Sequence, residues 1–495
     1  MPYLAHGSLS NSNSSEYLGI KSILSSKGTD ILAFEDDGKI FAYSPGDIAW
    51  ILICSALVWL MVPGIAFVYS GMVKGKNALS LLLLPLLAMS VVSIQFWFWG
   101  FSLAFSRNAN LFIGNLDYIG LENLLSQPEE TSNDRIPSIA FVMLQHMQAS
   151  LVGAVAIGSA AERGRVGPTM LFMFFWATLV YCPLVAWMYN PAGWAYRWGV
   201  LDYGGGVTME ICSGVTGLAY SLFIGRRTGY GVKIRPHSVP HVVLGTCLLW
   251  FGWLGLNGSG SGTANVRAGL VMVETHLAAC AGGLTWLIMD FRLEGKWSLI
   301  SYCMGAISGL VAVTPSAGLI GTSASVLIGA IGAAVANTAV AFRSRLPWDD
   351  GLDIFAGHAI SGAVGVMLTG IFAQKSIAKT DGYTIVDGGV LDGNWKQLYK
   401  QLAWIAAGGS WSFIITYMIF RVSPESEIKG IDKDQSGEVA YDFRASVFLN
   451  EPLSAKHNRR TKAFYSSFFL RRDSMMKKNL TPELIRSPKI QQGYL

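Results

Sequence analysis

The chain has 495 residues, of which 52% are of hydrophobic type and only 14% carry a charge. Soluble domains carry about 25% charged residues, so this composition excludes an ordinary water-soluble globular protein. The formal net charge of +5 is too small for a chain of this length to indicate a nucleic-acid partner. We therefore expect most of the chain to lie in lipid.

Long apolar runs divide the chain into candidate membrane spans, each of which needs about 20 predominantly apolar residues. Eleven such runs are present, and they predict an all-α polytopic membrane protein with eleven transmembrane helices. The runs cover residues 48–71, 78–105, 136–160, 167–190, 204–225, 239–257, 266–290, 298–315, 318–342, 353–374 and 398–421. An odd number of spans places the two ends of the chain on opposite sides of the membrane.

The loops between these spans differ in basic charge. The loops that follow odd-numbered spans contain Lys74, Lys76, Arg163, Arg165, Arg226, Arg227, Lys233, Arg235, Arg292, Lys296, Arg343 and Arg345. The intervening short loops contain chiefly Arg107, Arg135, Arg197 and Arg267. Because basic loops are retained in the cytoplasm, this asymmetry predicts an extracellular N-terminus and a cytoplasmic C-terminus.

Polar segments flank the membrane domain that we expect at residues 47–421. Residues 1–46 form a Ser-rich extracellular segment with one glycosylation sequon at Asn13. Residues 422–495 form a cytoplasmic regulatory tail that is basic from Lys456 onward. We expect this tail to be solvated and disordered, and contact with anionic membrane lipid is the alternative. The run that begins at Arg471 and ends at Ser474 looks like a site for a basophilic kinase.

Two segments that lie 148 residues apart share a pattern of polar and small residues. Each begins with Asp, has an ionisable residue eight positions later, then Ser-Gly, then a further Gly. The first runs from Asp202 to Gly217 and the second from Asp350 to Gly365. By the predicted topology they begin on opposite sides of the membrane, which indicates a five-plus-five inverted repeat with the eleventh helix outside it.

The ionisable residues of the two repeat segments are Glu210 and His358. A charged side chain at the centre of a membrane helix costs roughly 2.5–3.5 kcal/mol on insertion scales, so such residues usually face a bundle interior or a wet cavity. Inverted repeats place substrate sites near the midplane of the membrane. We therefore expect Glu210 and His358 to meet, where the pair would exchange a proton and stabilise a passing cation.

Several runs of the chain resemble the sequence motifs of one membrane-protein family. They are Met61 to Gly71, Asp202 to Gly206, Gly305 to Pro315, Leu368 to Ala373 and Gly430 to Tyr441. On these runs the chain resembles the ammonium transporter, methylammonium permease and Rhesus family, in a fungal-type form, from Ile48 to Tyr441. The resemblance implies a plasma-membrane homotrimer that takes up ammonium or methylammonium through one pore in each protomer, without a cofactor or enzymatic activity.

The resemblance also assigns pore roles to residues of this chain. His358 matches the second of two facing pore histidines, and Glu210 stands where the first is usually found. Some fungal members carry Glu there, and we expect a more acidic pore midpoint with an altered pH dependence.

The outer part of the implied pore departs from the family pattern. Tyr189 and Gly260 stand where the ammonium recruitment site uses tryptophan and serine, while the supporting Asp202 is retained. Gln148 and Leu256 stand where two stacked phenylalanines gate the pore. Tyr189 can still offer a cation–π face, and a glutamine at the gate would either wet the constriction or plug it with a hydrogen bond.

The last matching run implies a regulatory motif in the tail, with Asp432, Gly437, Glu438 and Tyr441 as its site residues. The run also begins like a calcium-binding loop. Such a loop needs a bidentate Glu at its twelfth position, which is Phe443 here, so we reject calcium.

Two interpretations of function remain open after these comparisons of motif. The first is an ammonium transporter, and the second is an ammonium sensor with an altered or blocked pore and a kinase-regulated tail. A polytopic membrane enzyme is a third, but it would need a catalytic set of residues that the sequence does not provide. Transport through the divergent outer pore is the point that separates the first two.

Three further polar residues, His146, Glu274 and His276, lie within predicted spans. Together with Glu210 and His358 they could form a metal cluster. No ligand spacing such as His-x-x-x-His is present among these five residues, so we expect no metal at them. We expect hydrogen bonds between helices for these three residues instead.

Overall fold

The computed structural model describes residues 32–36, 39–125, 127–164, 166–226, 236–342 and 348–421. Ten helices in this part of the chain are long and apolar enough to span a membrane, and one shorter apolar helix joins them. We number them α1 (Pro45–Met72), α2 (Gly75–Phe105), α3 (Ser138–Ser159), α4 (Val166–Trp198), α5 (Gly206–Ile224), α6 (Val239–Ser261), α7 (Val266–Glu294), α8 (Leu299–Val313), α9 (Thr322–Phe342), α10 (Phe355–Phe372) and α11 (Lys396–Phe420).

The eleven helices correspond one to one with the eleven predicted spans, so the predicted all-α polytopic fold is confirmed. The largest difference at a helix start is in α9, which begins at Thr322 and not at residue 318. Gly318 has a φ of 68° and lies in a turn before the helix. The turn residues are as apolar as those of the helix, so the start of α9 cannot be located from hydropathy alone.

A short β-hairpin precedes the first helix and was not predicted. Strand β1 (Leu32–Asp36) pairs antiparallel with strand β2 (Lys39–Tyr43). Ser44 follows directly and accepts a hydrogen bond from the Asp47 main-chain N–H, which caps α1 at its N-terminus. The sequon at Asn13 and the tail residues from 422 onward lie outside the described residues.

The packing of the helices follows the predicted inverted repeat of α1–α5 and α6–α10. The first helices of the two halves lie back to back, because Gly64 of α1 and Gly245 of α6 leave no room for a side chain between the backbones. In each half the fifth helix rests on the third. A side chain at Gly217 of α5 would clash with Ser159 of α3, and one at Gly365 of α10 would clash with the main chain of Ala312 of α8.

Helix α11 stands outside the repeat and packs on α5. The Trp404 side chain is fully buried, and its indole N–H donates to Asp202 at 2.9 Å. Near the other end of α11, the ring of Phe420 stacks on Tyr220 of α5 with 4.3 Å between centroids. Helix α11 therefore contacts α5 along much of the length of α5.

Two arginines that we counted as loop charges are buried, which corrects the sequence analysis. Arg267 is 1% exposed, lies in the first turn of α7 and forms an ion pair with Asp381 at 2.9 Å. Arg163 is 3% exposed and donates to the main-chain carbonyls of Ser159 and Asp349. Both side chains stabilise the ends of helices, so they are weaker evidence for orientation than exposed loop residues.

Candidate functional site

The two repeat halves bring Glu210 and His358 into direct contact. The Nδ1 atom of His358 lies 2.7 Å from Oε2 of Glu210, although the residues are 148 positions apart in the chain. Both side chains are buried, with 4% and 8% of their surface exposed. The structure thus shows the contact between Glu210 and His358 that the repeated sequence pattern predicts.

Matched local structure holds each member of this pair. Glu210 lies in a π-helical turn at Gly206–Ile211, and His358 lies in a second one at Phe355–Ile360. Before each turn an aspartate accepts a hydrogen bond from the main-chain N–H five residues later. Asp202 accepts from Val207 at 2.9 Å, and Asp350 accepts from Phe355 at 2.7 Å. Isolated π turns are common at functional sites because they redirect side chains within a helix.

The glycines of the repeated Ser-Gly pattern explain how closely α5 and α10 approach. A Cβ at Gly214 would lie 2.5 Å from the main-chain nitrogen of Ala359, which directly follows His358. A Cβ at Gly362 would lie 2.9 Å from Cβ of Glu210. Gly214 therefore makes room for the residue next to His358, and Gly362 makes room for Glu210 itself.

The paired side chains line a cavity of about 40 Å³ inside the helix bundle. Most of its wall is apolar, and it includes Met61, Ile65, Val68, Leu151, Leu249 and Trp253. A space of this size exceeds the roughly 10–15 Å³ that one water molecule needs by the same measure. A small cation or its neutral base therefore fits beside the carboxylate and the imidazole.

A second cavity, of about 30 Å³, brings together four of the five positions assigned to the outer site and gate. Its wall includes Gln148, Tyr189, Leu256 and Gly260. We call it the outer cavity. It also includes Gln145 and Tyr203, which the sequence analysis missed. Gln145 lies one helical turn before Gln148, and Tyr203 directly follows Asp202, so position in the chain was the available signal for both.

Asp202 supports the outer cavity and is not part of its wall. Its carboxylate accepts hydrogen bonds from the indole N–H of Trp404 and from the main-chain N–H groups of Gly206 and Val207. The hydroxyl of Tyr189 donates to the main-chain carbonyl of Asp202 at 3.2 Å. Asp202 thus fixes the entry of α5 and the orientation of Tyr189.

The structure bears on whether Gln148 wets the constriction or plugs it with a hydrogen bond. Its side chain is partly exposed and lines the outer cavity, and no hydrogen bond joins it to any residue in the described part of the protein. A plug held by a hydrogen bond to the protein is therefore not the arrangement seen here. The amide is free to bind water or a cation.

The hydroxyl groups beside Gly260 are already engaged. Ser259 donates to the main-chain carbonyl of Leu256 at 2.7 Å, and Ser261 donates to that of Thr263 at 2.7 Å. Against Gly260 itself lies the ring of Tyr203. Its Cε1 atom would be 2.6 Å from a Cβ at this position.

The three further polar residues of the spans lie in different surroundings. Glu274 is fully buried and accepts from the main-chain N–H of Gly318 at 2.7 Å. His146 packs edge-on against Phe96, with 5.1 Å between ring centroids, and its Nδ1 contacts the carbonyl of Val142. His276 is exposed at the surface of α7. The structure does not bring these residues to the Glu210–His358 pair.

The fold and the two cavities define a helical membrane protein with small internal cavities, each of which has a few polar side chains in its wall. Residues 49–441 match the model of the Ammonium Transporter Family. The chain therefore belongs to the ammonium transporter family.

Individual relatives agree with this assignment. Ammonium transporter 2 of Schizosaccharomyces pombe is 43% identical, and the match covers 83% of each chain. The crystal structure of Saccharomyces cerevisiae Mep2 is similar with a TM-score of 0.74 at 42% identity, over 77% of this chain and 86% of that one. A structure titled Sensor Amt Protein has a TM-score of 0.71 at 27% identity, over 80% of this chain and 98% of that one.

Proposed function

We propose that this protein carries ammonium or methylammonium across the plasma membrane through a pore within each protomer. The observation that carries the proposal is the 2.7 Å contact between Glu210 and His358 at the wall of a buried cavity. A carboxylate in a low-dielectric interior attracts a cation far more strongly than one in water. The adjacent imidazole has two ring nitrogens, and the Nδ1 atom contacts the carboxylate, so the pair offers a path for a proton.

Glu210 and His358 have different roles in the transport of ammonium that we propose. Glu210 balances the charge of an arriving ammonium ion, and the Glu210–His358 pair takes up its proton, which is given back to the ammonia when it leaves the cavity. Neutral ammonia then crosses the apolar part of the cavity wall without the cost of burying a charge. His358 and Glu210 are the residues on which the activity depends.

We also propose the assembly and orientation that the sequence indicates. The functional unit is a homotrimer, with the N-terminus outside the cell and the C-terminus in the cytoplasm. This orientation rests on the basic residues that the sequence places in the predicted inner loops, and buried Arg163 and Arg267 are weaker evidence for it. The regulatory motif with Asp432, Gly437, Glu438 and Tyr441, and the kinase site at Ser474, lie outside the described residues and belong to the same proposal.

An ammonium sensor is the second candidate function, and the composition of the outer cavity favours it. Two positions that the family resemblance makes apolar gates are Gln148 and Leu256 here, and the recruitment positions are Tyr189 and Gly260. A protein with such changes would bind ammonium at the outer cavity and report it without sustaining a flux. A likeness to a protein whose title calls it a sensor agrees with this candidate but does not outweigh the closer transporters.

Uptake of radiolabelled methylammonium in a yeast strain that lacks its own permeases separates the two functions. We expect uptake by the natural protein, and loss of uptake in Glu210→Gln and in His358→Asn. Glu210→His rebuilds the histidine pair that the resemblance implies, and we expect it to transport with a shifted pH profile. Asp47→Asn is the matched control, because it alters a buried carboxylate that lines neither of the two cavities.

Surface expression of every variant is measured in the same cells. A natural protein that reaches the surface but takes up no methylammonium would overturn transport and favour the sensor. Normal uptake by Glu210→Gln and His358→Asn would remove the pair from the mechanism.

A further inference from the structure

The Tyr203 side chain carries a buried hydroxyl to which no described residue forms a hydrogen bond. Tyr203 is 3% exposed, and its Oη atom has no hydrogen-bond partner among the described residues. Leaving a buried hydroxyl unsatisfied costs about 1–3 kcal/mol. Such a group persists in a folded protein when a ligand or a water molecule completes its hydrogen bonds.

This hydroxyl lies at the position where a side chain of residue 260 would project. A Cβ on Gly260 would be 3.1 Å from Oη of Tyr203 and 2.7 Å from Cζ. Both residues line the outer cavity. The missing side chain at Gly260 and the phenol of Tyr203 therefore occupy the same space, and each excludes the other.

We propose that Tyr203 supplies the hydroxyl oxygen that binds the ammonium ion in the outer cavity, in place of a side chain at residue 260. This inference rests on the proposed function only in taking ammonium as the ligand, and it holds for a transporter and for a sensor. Ammonium has four N–H donors and no acceptor, so its site must offer oxygen lone pairs or aromatic faces. Tyr203 offers a lone pair, the neighbouring Tyr189 offers a ring, and the unpartnered amide of Gln148 offers a carbonyl oxygen.

The main chain and a buried arginine hold the phenol in place. The N–H groups of Tyr203 and Gly204 donate to the carbonyls of Pro315 and Thr314, at 3.0 Å and 2.9 Å. The guanidinium of Arg267 lies 4.9 Å from the centroid of the Tyr203 ring. Its charge is balanced by Asp381, so it orients the ring without repelling a second cation as strongly as a lone arginine would.

A buried water molecule is the competing explanation for the free hydroxyl. Oδ1 of Asn257 and Oε1 of Glu274 are also buried without a partner among the described residues, and a water could join them to Tyr203. In that case the hydroxyl would stabilise the fold and would not affect ammonium. The two explanations differ in one measurement, the ammonium concentration needed to stabilise the protein.

The test measures thermal unfolding of the purified full-length protein in detergent over a range of ammonium chloride, with sodium chloride at equal ionic strength as the reference. Ligand that binds the folded state raises the Tm in a concentration-dependent way. We expect Tyr203→Phe to require about tenfold or more ammonium for the same stabilisation, the usual consequence of losing a hydrogen bond to a charged group. Tyr220→Phe removes another buried tyrosine hydroxyl, away from the outer cavity, and should leave the concentration dependence unchanged.

A second variant guards against misfolding of Tyr203→Phe. Gly260→Ala places a methyl group against the phenol and should raise the required ammonium concentration in the same direction, while Gly269→Ala, which meets no atom within 4 Å, should not. An unchanged ammonium dependence in both Tyr203→Phe and Gly260→Ala, or a natural protein that ammonium does not stabilise, would overturn the inference. Normal ammonium stabilisation without methylammonium uptake in cells would instead overturn transport and leave Tyr203 in its role.

Discussion

The crossing of α5 and α10 offers a sharp test of how packing sets the Glu210–His358 contact. In Gly214→Ala the new methyl group would lie 2.5 Å from the Ala359 nitrogen and 2.7 Å from its Cβ. Ordinary contacts of this kind are 3.4–4 Å, so the helices must separate locally by about 1 Å, since cores have little space to absorb the change. The 2.7 Å contact would then lengthen to beyond about 3.2 Å, the upper limit of a good N–H···O hydrogen bond.

Two effects of different size follow from this displacement. Overpacking of a core costs about 1–3 kcal/mol of folding free energy, so the Tm of the purified protein should fall. Weakening a hydrogen bond to a charged group costs about 1.5–3 kcal/mol, which lowers a rate that depends on it by about 10–100-fold. Methylammonium uptake per surface-expressed protein should therefore fall more clearly than the amount of protein.

Two further alanine substitutions calibrate the result. Gly362→Ala meets Glu210 at 2.9 Å and should have an intermediate effect, because a smaller displacement relieves it. Gly269→Ala meets nothing within 4 Å and should leave both Tm and uptake unchanged. Natural uptake and stability in Gly214→Ala would refute the idea that close backbone contact positions the pair.

Three other predictions follow from contacts outside the pair. Trp404→Phe removes one hydrogen bond to the buried Asp202 carboxylate and should cost about 1.5–3 kcal/mol of stability, measured as a lower Tm. Arg267→Met leaves the Asp381 carboxylate buried and unpaired, and should destabilise by about 3–5 kcal/mol or abolish surface expression, whereas Arg267→Met with Asp381→Leu should recover part of the loss. Burial raises the pKa of Glu129, in the loop before α3, to about 7, so stability should fall as pH rises from about 4.5 to about 7, and Glu129→Gln should flatten this decline in a Tm-versus-pH series.

The membrane spans and the contact between Glu210 and His358 could be predicted from the sequence because each leaves a local signal. Spans are long apolar runs, and a duplicated unit repeats its polar residues at a fixed spacing, so Glu210 and His358 were identified without a structure. The π turns that redirect their side chains leave no comparable signal, since the same residues fit an α-helix. The hairpin before α1 was missed because its two short strands contain no strong alternating pattern.

The outer cavity shows what a sequence cannot provide. At Gly260 the sequence shows only that the serine hydroxyl implied by the resemblance is absent, and the hydroxyls of the flanking Ser259 and Ser261 donate to the main chain. The group that fills the space, Tyr203, is distant in sequence and reaches Gly260 only through the folded backbone. Arg267 was likewise taken as a loop charge because its partner Asp381 lies beyond several spans. The missed Tyr203 contact and the error about Arg267 both involve residues far apart in the chain.

Because α11 has no counterpart in the second half, the two repeat aspartates have different hydrogen-bond partners. Asp202 is braced by the Trp404 indole, while the matching Asp350 keeps one carboxylate oxygen, Oδ1, without a partner among the described residues. The Asp350 end is held instead by Arg163, which donates to the main-chain carbonyl of the adjacent Asp349. The two ends of the duplicated unit are therefore fixed by different partners, an indole N–H near Asp202 and a guanidinium near Asp350.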